Sequence, residues 1–97
     1  MPTYELEDRF KRDLERLTQE ERQQFSRAVN KLVADLKARQ GFRKGLRIKG
    51  VQGQEGVYEM TWADDGRATF AYGTSPNEGD VHIIWRRVGS HDIFQDP

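Results

Sequence analysis

Tyr58-Glu59-Met60-Thr61-Trp62-Ala63-Asp64-Asp65-Gly66-Arg67-Ala68-Thr69-Phe70-Ala71-Tyr72 reads as two strands about a tight turn. Tyr58, Met60 and Trp62 alternate with Glu59 and Thr61, and Ala68, Phe70 and Tyr72 alternate with Arg67, Thr69 and Ala71, so each strand has one apolar face. Between them Asp64-Asp65-Gly66 predicts a three-residue loop with the glycine left-handed. That loop would set Trp62 opposite Ala68, Met60 opposite Phe70 and Tyr58 opposite Tyr72, stacking the large side chains on one side. A two-residue loop would scramble the arrangement.

Outward from this hairpin, glycines at 45, 50, 53, 56, 66, 73 and 79 punctuate the second half as turn signals. Leu46 and Ile48 alternate with Arg47 and Lys49, and Val81 to Val88 forms a further strand whose apolar residues fall on both parities. The first half has the helical period instead. Phe10, Leu14 and Leu17, then Phe25, Val29, Leu32, Val33 and Leu36, predict two amphipathic helices over roughly residues 7 to 40. Thr18-Gln19-Glu20-Glu21 has the capping-box form and starts the second helix near Gln19; Gln40-Gly41 is its expected stop. The short link predicts an antiparallel pair, and that pair is the available cover for the apolar sheet face. The expected fold class is α+β: two N-terminal antiparallel helices on one face of a three- to four-stranded antiparallel sheet, with the other face open and polar.

Ninety-seven residues suit one domain spanning 1–97. With no cysteine and two histidines, disulfides, thiolate zinc sites and a resident metal are not expected, nor is any other cofactor. Without a long apolar run or a leader pattern the chain reads as soluble, cytoplasmic and free of membrane. Sixteen basic and sixteen acidic residues cancel, but they are unevenly placed. From Lys37 to Lys49 there are six bases (Lys37, Arg39, Arg43, Lys44, Arg47 and Lys49) and no acid. An exposed helix end and loop would explain that run as well as a polyanion site would.

The C-terminal stretch Trp85-Arg86-Arg87-Val88-Gly89-Ser90-His91-Asp92-Ile93-Phe94 sets an imidazole beside fixed positive charge. Metal-free RNA cleavage needs removal of a proton from a ribose 2′-hydroxyl, neutralisation of the phosphorane and protonation of the leaving 5′-oxygen. His91 could move the proton, Lys49, Arg67 and Arg87 could neutralise the phosphate, and Glu59 could act as base or positioner. Each has a plainer reading as an ordinary polar residue of a half-wet sheet. His82, inside a strand, reads as a packing or cross-strand hydrogen-bonding residue, and Trp62 and Trp85 as core.

The helix pair followed by a sheet, the segments Leu46-Arg47-Ile48-Lys49-Gly50 and Gly56-Val57-Tyr58-Glu59-Met60-Thr61-Trp62, and the ending Trp85 to Phe94 together resemble the RelE/ParE toxin superfamily. Arg87-Val88-Gly89-Ser90-His91-Asp92-Ile93-Phe94 looks most like its RelE/YafQ-like mRNA interferase branch. The resemblance implies the toxin of a bacterial toxin–antitoxin pair: a metal-independent, ribosome-dependent endoribonuclease that cuts mRNA by 2′-hydroxyl attack. It implies His91 as the proton-transfer residue with Phe94 as aromatic neighbour; the basic segment would then offer Arg43, Lys44 and Arg47, and the last strand Arg86, as RNA contacts beside Phe94. Where RelE-like sequences usually carry an arginine this chain has Glu59, which passes the cationic role to Arg67 or Lys49. The implied partners are a cognate antitoxin, forming a hetero-oligomer, and the ribosome with its mRNA. The alternatives are a ParE-like protein-binding toxin that inhibits gyrase without nuclease activity, and an inactive interaction-domain paralogue.

Overall fold

The computed structural model describes residues 2–97. The elements run β1 (Thr3–Leu6), α1 (Asp8–Arg16), α2 (Gln19–Ala38), β2 (Lys49–Gly50), β3 (Val57–Thr61), β4 (Gly66–Gly73) and β5 (His82–Ser90), with 3-10 turns at Lys44–Leu46 and His91–Gln95. The strands form one sheet in the order β1-β5-β4-β3-β2. Thr18 caps α2 as its sequence predicts: its Oγ1 accepts from the Glu21 amide at 3.1 Å, and its own amide donates to Glu21 Oε1 at 2.8 Å. The helices cover one sheet face. Phe10 of α1, Phe25 and Leu32 of α2, Met60, Ala68, Phe70, Trp85 and Val88 form the buried core between the layers. Trp85 is its hub, with ring centroids of Phe25, Phe70 and Phe10 at 5.3, 5.5 and 5.8 Å.

Several expectations need correction. The sheet has five strands rather than three or four, and it is mixed, because β1 pairs with β5 in parallel. The stretch Leu46-Arg47-Ile48 is not strand: Leu46 ends a 3-10 turn and Arg47 takes the left-handed conformation (φ 49°, ψ 44°), leaving only Lys49 and Gly50 to pair with β3. α2 closes at Arg39, itself left-handed at φ 55°, two residues before Gly41.

The hairpin is shifted by two residues from the predicted register, which preserves the faces. Thr61 pairs with Arg67, Met60 with Ala68 and Tyr58 with Phe70, while the Trp62 amide donates to the Gly66 carbonyl at 3.1 Å. Gly66 is therefore required beneath a ring, not in the turn. A Cβ placed on it would lie 2.6 Å from the Trp62 indole. Gly66→Ala is expected to destabilise by about 1–3 kcal/mol through overpacking. In a Trp62→Ala background most of that cost should vanish, and a urea-unfolding double-mutant cycle measures the difference.

The mixed parity of Val81 to Val88 is resolved by a bulge. Thr69 faces Arg87 and the next residue of β4, Phe70, faces Trp85, so Arg86 is an extra residue in β5. Trp85 and Val88 thereby both reach the core, at 4% and 2% exposure.

Candidate functional site

One row of residues crosses the sheet face away from the helices: Lys49 pairs with Glu59, Glu59 with Thr69, and Thr69 with Arg87. Lys49 Nζ lies 3.8 Å from Glu59 Oε1; the lysine is exposed and the glutamate side chain only 14% so. In the next row Thr61 pairs with Arg67 and Arg67 with Gly89. Arg67 Nη1 donates to the carbonyls of Ala63, Asp64 and Gly66 at 3.2, 3.2 and 2.9 Å, which fixes the guanidinium over the hairpin turn and leaves its other nitrogens uncommitted.

His91 leaves the sheet directly after Ser90, the cross-strand partner of Gly66. Ser90 Oγ accepts from the Asp92 amide at 3.2 Å and starts the turn. The turn folds back over the face that carries Arg67: a Cβ on Gly89, which shares that face, would meet the Ile93 side chain at 3.1 Å, and Ile93 is buried. The His91 ring is exposed and stands edge-on to Phe94 at 4.9 Å and 80°. It makes no hydrogen bond with any described residue. Arg67, Glu59 and Lys49 thus share one face of the sheet, and the turn that carries His91 packs on that face through Ile93.

The other two arginines predicted for the site are committed elsewhere. Arg87 donates from Nε to Asp13 Oδ2 at 2.6 Å, from Nη2 to Asp13 Oδ1 at 3.2 Å, and from Nη1 to the Asp96 carbonyl at 2.8 Å. The hydrogen bond to Asp13 raises the Arg87 pKa above its ordinary value. Arg86 donates to the Pro97 carbonyl at 3.1 Å and lies 3.6 Å from Glu7 Oε2. Both tie β5 to α1 and to the last residues of the chain. His82 bridges the two parallel strands, with Nδ1 2.7 Å from Thr3 Oγ1 and Nε2 2.8 Å from Glu5 Oε1, the cross-strand role its position suggested.

The basic segment is spread over two places. Arg43 forms a fork on Asp35 of α2, with Nη2 to Oδ1 at 2.8 Å and Nε to Oδ2 at 3.0 Å, and its amide donates to Oδ2 at 2.9 Å. This pins the loop after α2. Lys44 is exposed at the start of the 3-10 turn. Arg47 sits in a backbone region that costs a non-glycine residue about 1–3 kcal/mol. Arg43, Arg47 and Arg67 line a common cavity of about 560 Å³. Arg27 and Lys31 of α2 complete it, two residues that the sequence reading did not single out. Asp13 was missed in the same way; an acid at a core-facing position between Phe10 and Leu14 was the signal available.

The Arg43 side-chain hydrogen bonds, followed by its backbone amide, hold the Asp35 carboxyl below the usual carboxylate range. A depressed folded pKa contributes stability that is complete above the unfolded value of about 4 and disappears as pH falls through the folded value. The stability difference between wild type and Arg43→Ala is therefore expected to shrink below about pH 4. Thermal unfolding followed across the acid range checks it.

No protein-family model matches the chain, and no curated protein matches it in sequence. Solved structures do match. A chain of the E. coli DinJ–YafQ toxin–antitoxin complex superposes with a TM-score of 0.64 at 13% identity, covering 94% of this chain and 93% of that one. The RelB–RelE antitoxin–toxin complex from Methanococcus jannaschii gives 0.60 at 17% identity over 94% of each chain. The YoeB/ParE toxin from Agrobacterium tumefaciens gives 0.64 at 14% identity over 92% of this chain and 98% of that one. Among the described residues no helix is long and apolar enough to cross a membrane. From its helix pair, its mixed five-stranded sheet and these likenesses, the chain has the fold of the RelE/ParE toxin superfamily.

Proposed function

We propose that this protein is the toxin of a bacterial toxin–antitoxin pair and a metal-independent endoribonuclease that cuts mRNA on the ribosome, in the cytoplasm. The observation that carries the reading is the exposed His91 ring, edge-on to the half-buried Phe94, on a turn that packs through Ile93 on the face carrying Arg67, with Glu59 and Lys49 in the neighbouring row. An imidazole free of internal hydrogen bonds can take the 2′-hydroxyl proton or supply one to the leaving 5′-oxygen. The Phe94 ring limits its rotation. Lys49 and Arg67 supply fixed charge for the phosphorane, and Glu59 holds the lysine ammonium on the sheet. Arg43, Lys44 and Arg47 extend the positive surface along the RNA. Arg86 and Arg87 serve this reading by anchoring the strand that ends in His91.

The fold likeness to chains from toxin–antitoxin complexes supports a cognate antitoxin as partner, in a hetero-oligomer that masks the basic surface. The test is induction without antitoxin while amino-acid and thymidine incorporation are followed together. Protein synthesis should stop first, with mRNA fragments ending in 2′,3′-cyclic phosphate. An early halt in DNA synthesis with translation continuing would overturn the reading in favour of a protein-binding gyrase inhibitor, and unimpeded growth in favour of an inactive paralogue.

A further inference from the structure

The two flanks of α2 are chemically opposite. On one, Val29, Val33 and Leu36 line an apolar groove of about 360 Å³ with Leu6 and Leu14. On the other, the cavity of about 560 Å³ runs between α2, the Lys44–Leu46 turn and the β3–β4 hairpin, and carries Arg27, Lys31, Arg43, Arg47 and Arg67 against one acid, Asp64. Arg43 is neutralised by Asp35, and Arg67 is partly held by hairpin carbonyls. The side chains of Arg27, Lys31 and Arg47 form no hydrogen bond or ion pair with any described residue. Arg27 and Lys31 are four residues apart on a helix, so they project from the same side. Arg47 faces them across the cavity from its left-handed backbone position.

Like charges gathered around a concavity without a counter-charge repel one another and raise the local potential, which is the condition that captures an anion. Guanidinium pairs match phosphate oxygens bidentately. A peptide partner, in contrast, draws affinity from apolar anchors, and the apolar flank of α2 offers those.

We propose that the cleft between α2 and the β3–β4 hairpin carries the RNA-binding surface onto α2, where Arg27 and Lys31, opposite Arg47, grip the phosphodiester backbone of a single strand. The choice of RNA as the polyanion rests on the nuclease reading; the cleft itself lies between α2 and the hairpin and shares Arg67 with the candidate site. It anchors a stretch of strand that is not cut.

The experiment uses the full chain and a fluorescent single-stranded 2′-O-methyl RNA, which lacks the attacking hydroxyl, with binding followed by anisotropy over a range of salt. The double variant Arg27→Gln/Lys31→Gln is expected to bind about tenfold more weakly near 0.1 M salt, with the log–log salt slope reduced by about 1.4. The charge-conserving Arg27→Lys/Lys31→Arg should bind within about twofold of wild type, which separates lost charge from a disturbed helix. Unchanged affinity and slope in a double variant of wild-type Tm would overturn the proposal. So would a glutamate-rich peptide that depends on Arg27 and Lys31 while the RNA does not. Cleavage by the wild-type protein separates the two readings: binding lost in the cleft variant while wild type cuts no RNA on programmed ribosomes removes the nuclease assignment alone, whereas wild-type cleavage with binding unchanged in the cleft variant removes the cleft alone.

Discussion

Asp13→Ala is expected to destabilise the fold by about 3–5 kcal/mol, a large share of the roughly 5–15 kcal/mol that holds a small domain together. β1 ends at Leu6, opposite Trp85, so beyond that point the edge of β5 has no strand beside it. Asp13 of α1 takes the strand's place: its Oδ2 accepts from the Val88 amide at 3.2 Å and from Arg87 Nε at 2.6 Å, in a setting where Asp13 is 7% exposed. Alanine would leave a backbone donor and a mostly covered guanidinium unpaired together. Asp13→Asn should cost less, because the amide oxygen can still accept from Val88. Urea unfolding gives the measurement, with an unchanged m-value expected. A loss under about 1 kcal/mol would show that water replaces the carboxylate.

His91→Ala is expected to slow single-turnover cleavage on programmed ribosomes by about 10²–10⁴-fold, the usual contribution of a positioned acid or base. Affinity for uncleavable RNA should move by no more than about twofold, since the imidazole contacts the reacting atoms rather than holding the strand. Phe94→Ala should give a smaller loss, because the histidine remains but is free to turn. A His91→Ala rate within about threefold of wild type excludes proton transfer by this residue.

The parts of the fold written in neighbouring residues were legible. Thr18 and Glu21 cap each other three positions apart, and the alternation around Met60 and Phe70 marks the core face without any knowledge of the partner strand. What could not be read depends on distant segments. Thr3–Leu6 becomes a strand because the edge of β5 is available to it at the far end of the sequence, and four residues carry no usable period by themselves. Gly66 looked like a turn residue because glycine serves both left-handed turns and close ring contacts; the Trp62 indole decides between them. Arg47 kept the alternation of Leu46 and Ile48 on paper, while its left-handed backbone removed it from the sheet. For the site, Lys49 and Glu59 were placed together by strand pairing, and His91 with Phe94 by a three-residue spacing. The commitment of Arg87 to Asp13 needed a tertiary contact across 74 positions.

The extra residue in β5 has a consequence for evolution within this architecture. Side chains beyond Arg86 point where they do because the ladder skips one position there. A relative that has lost that single codon would run a regular ladder with the same faces beyond it, because the residues on either side of Arg86 already pair with neighbouring positions of β4. Pairwise comparison of such chains should therefore open its gap at this point.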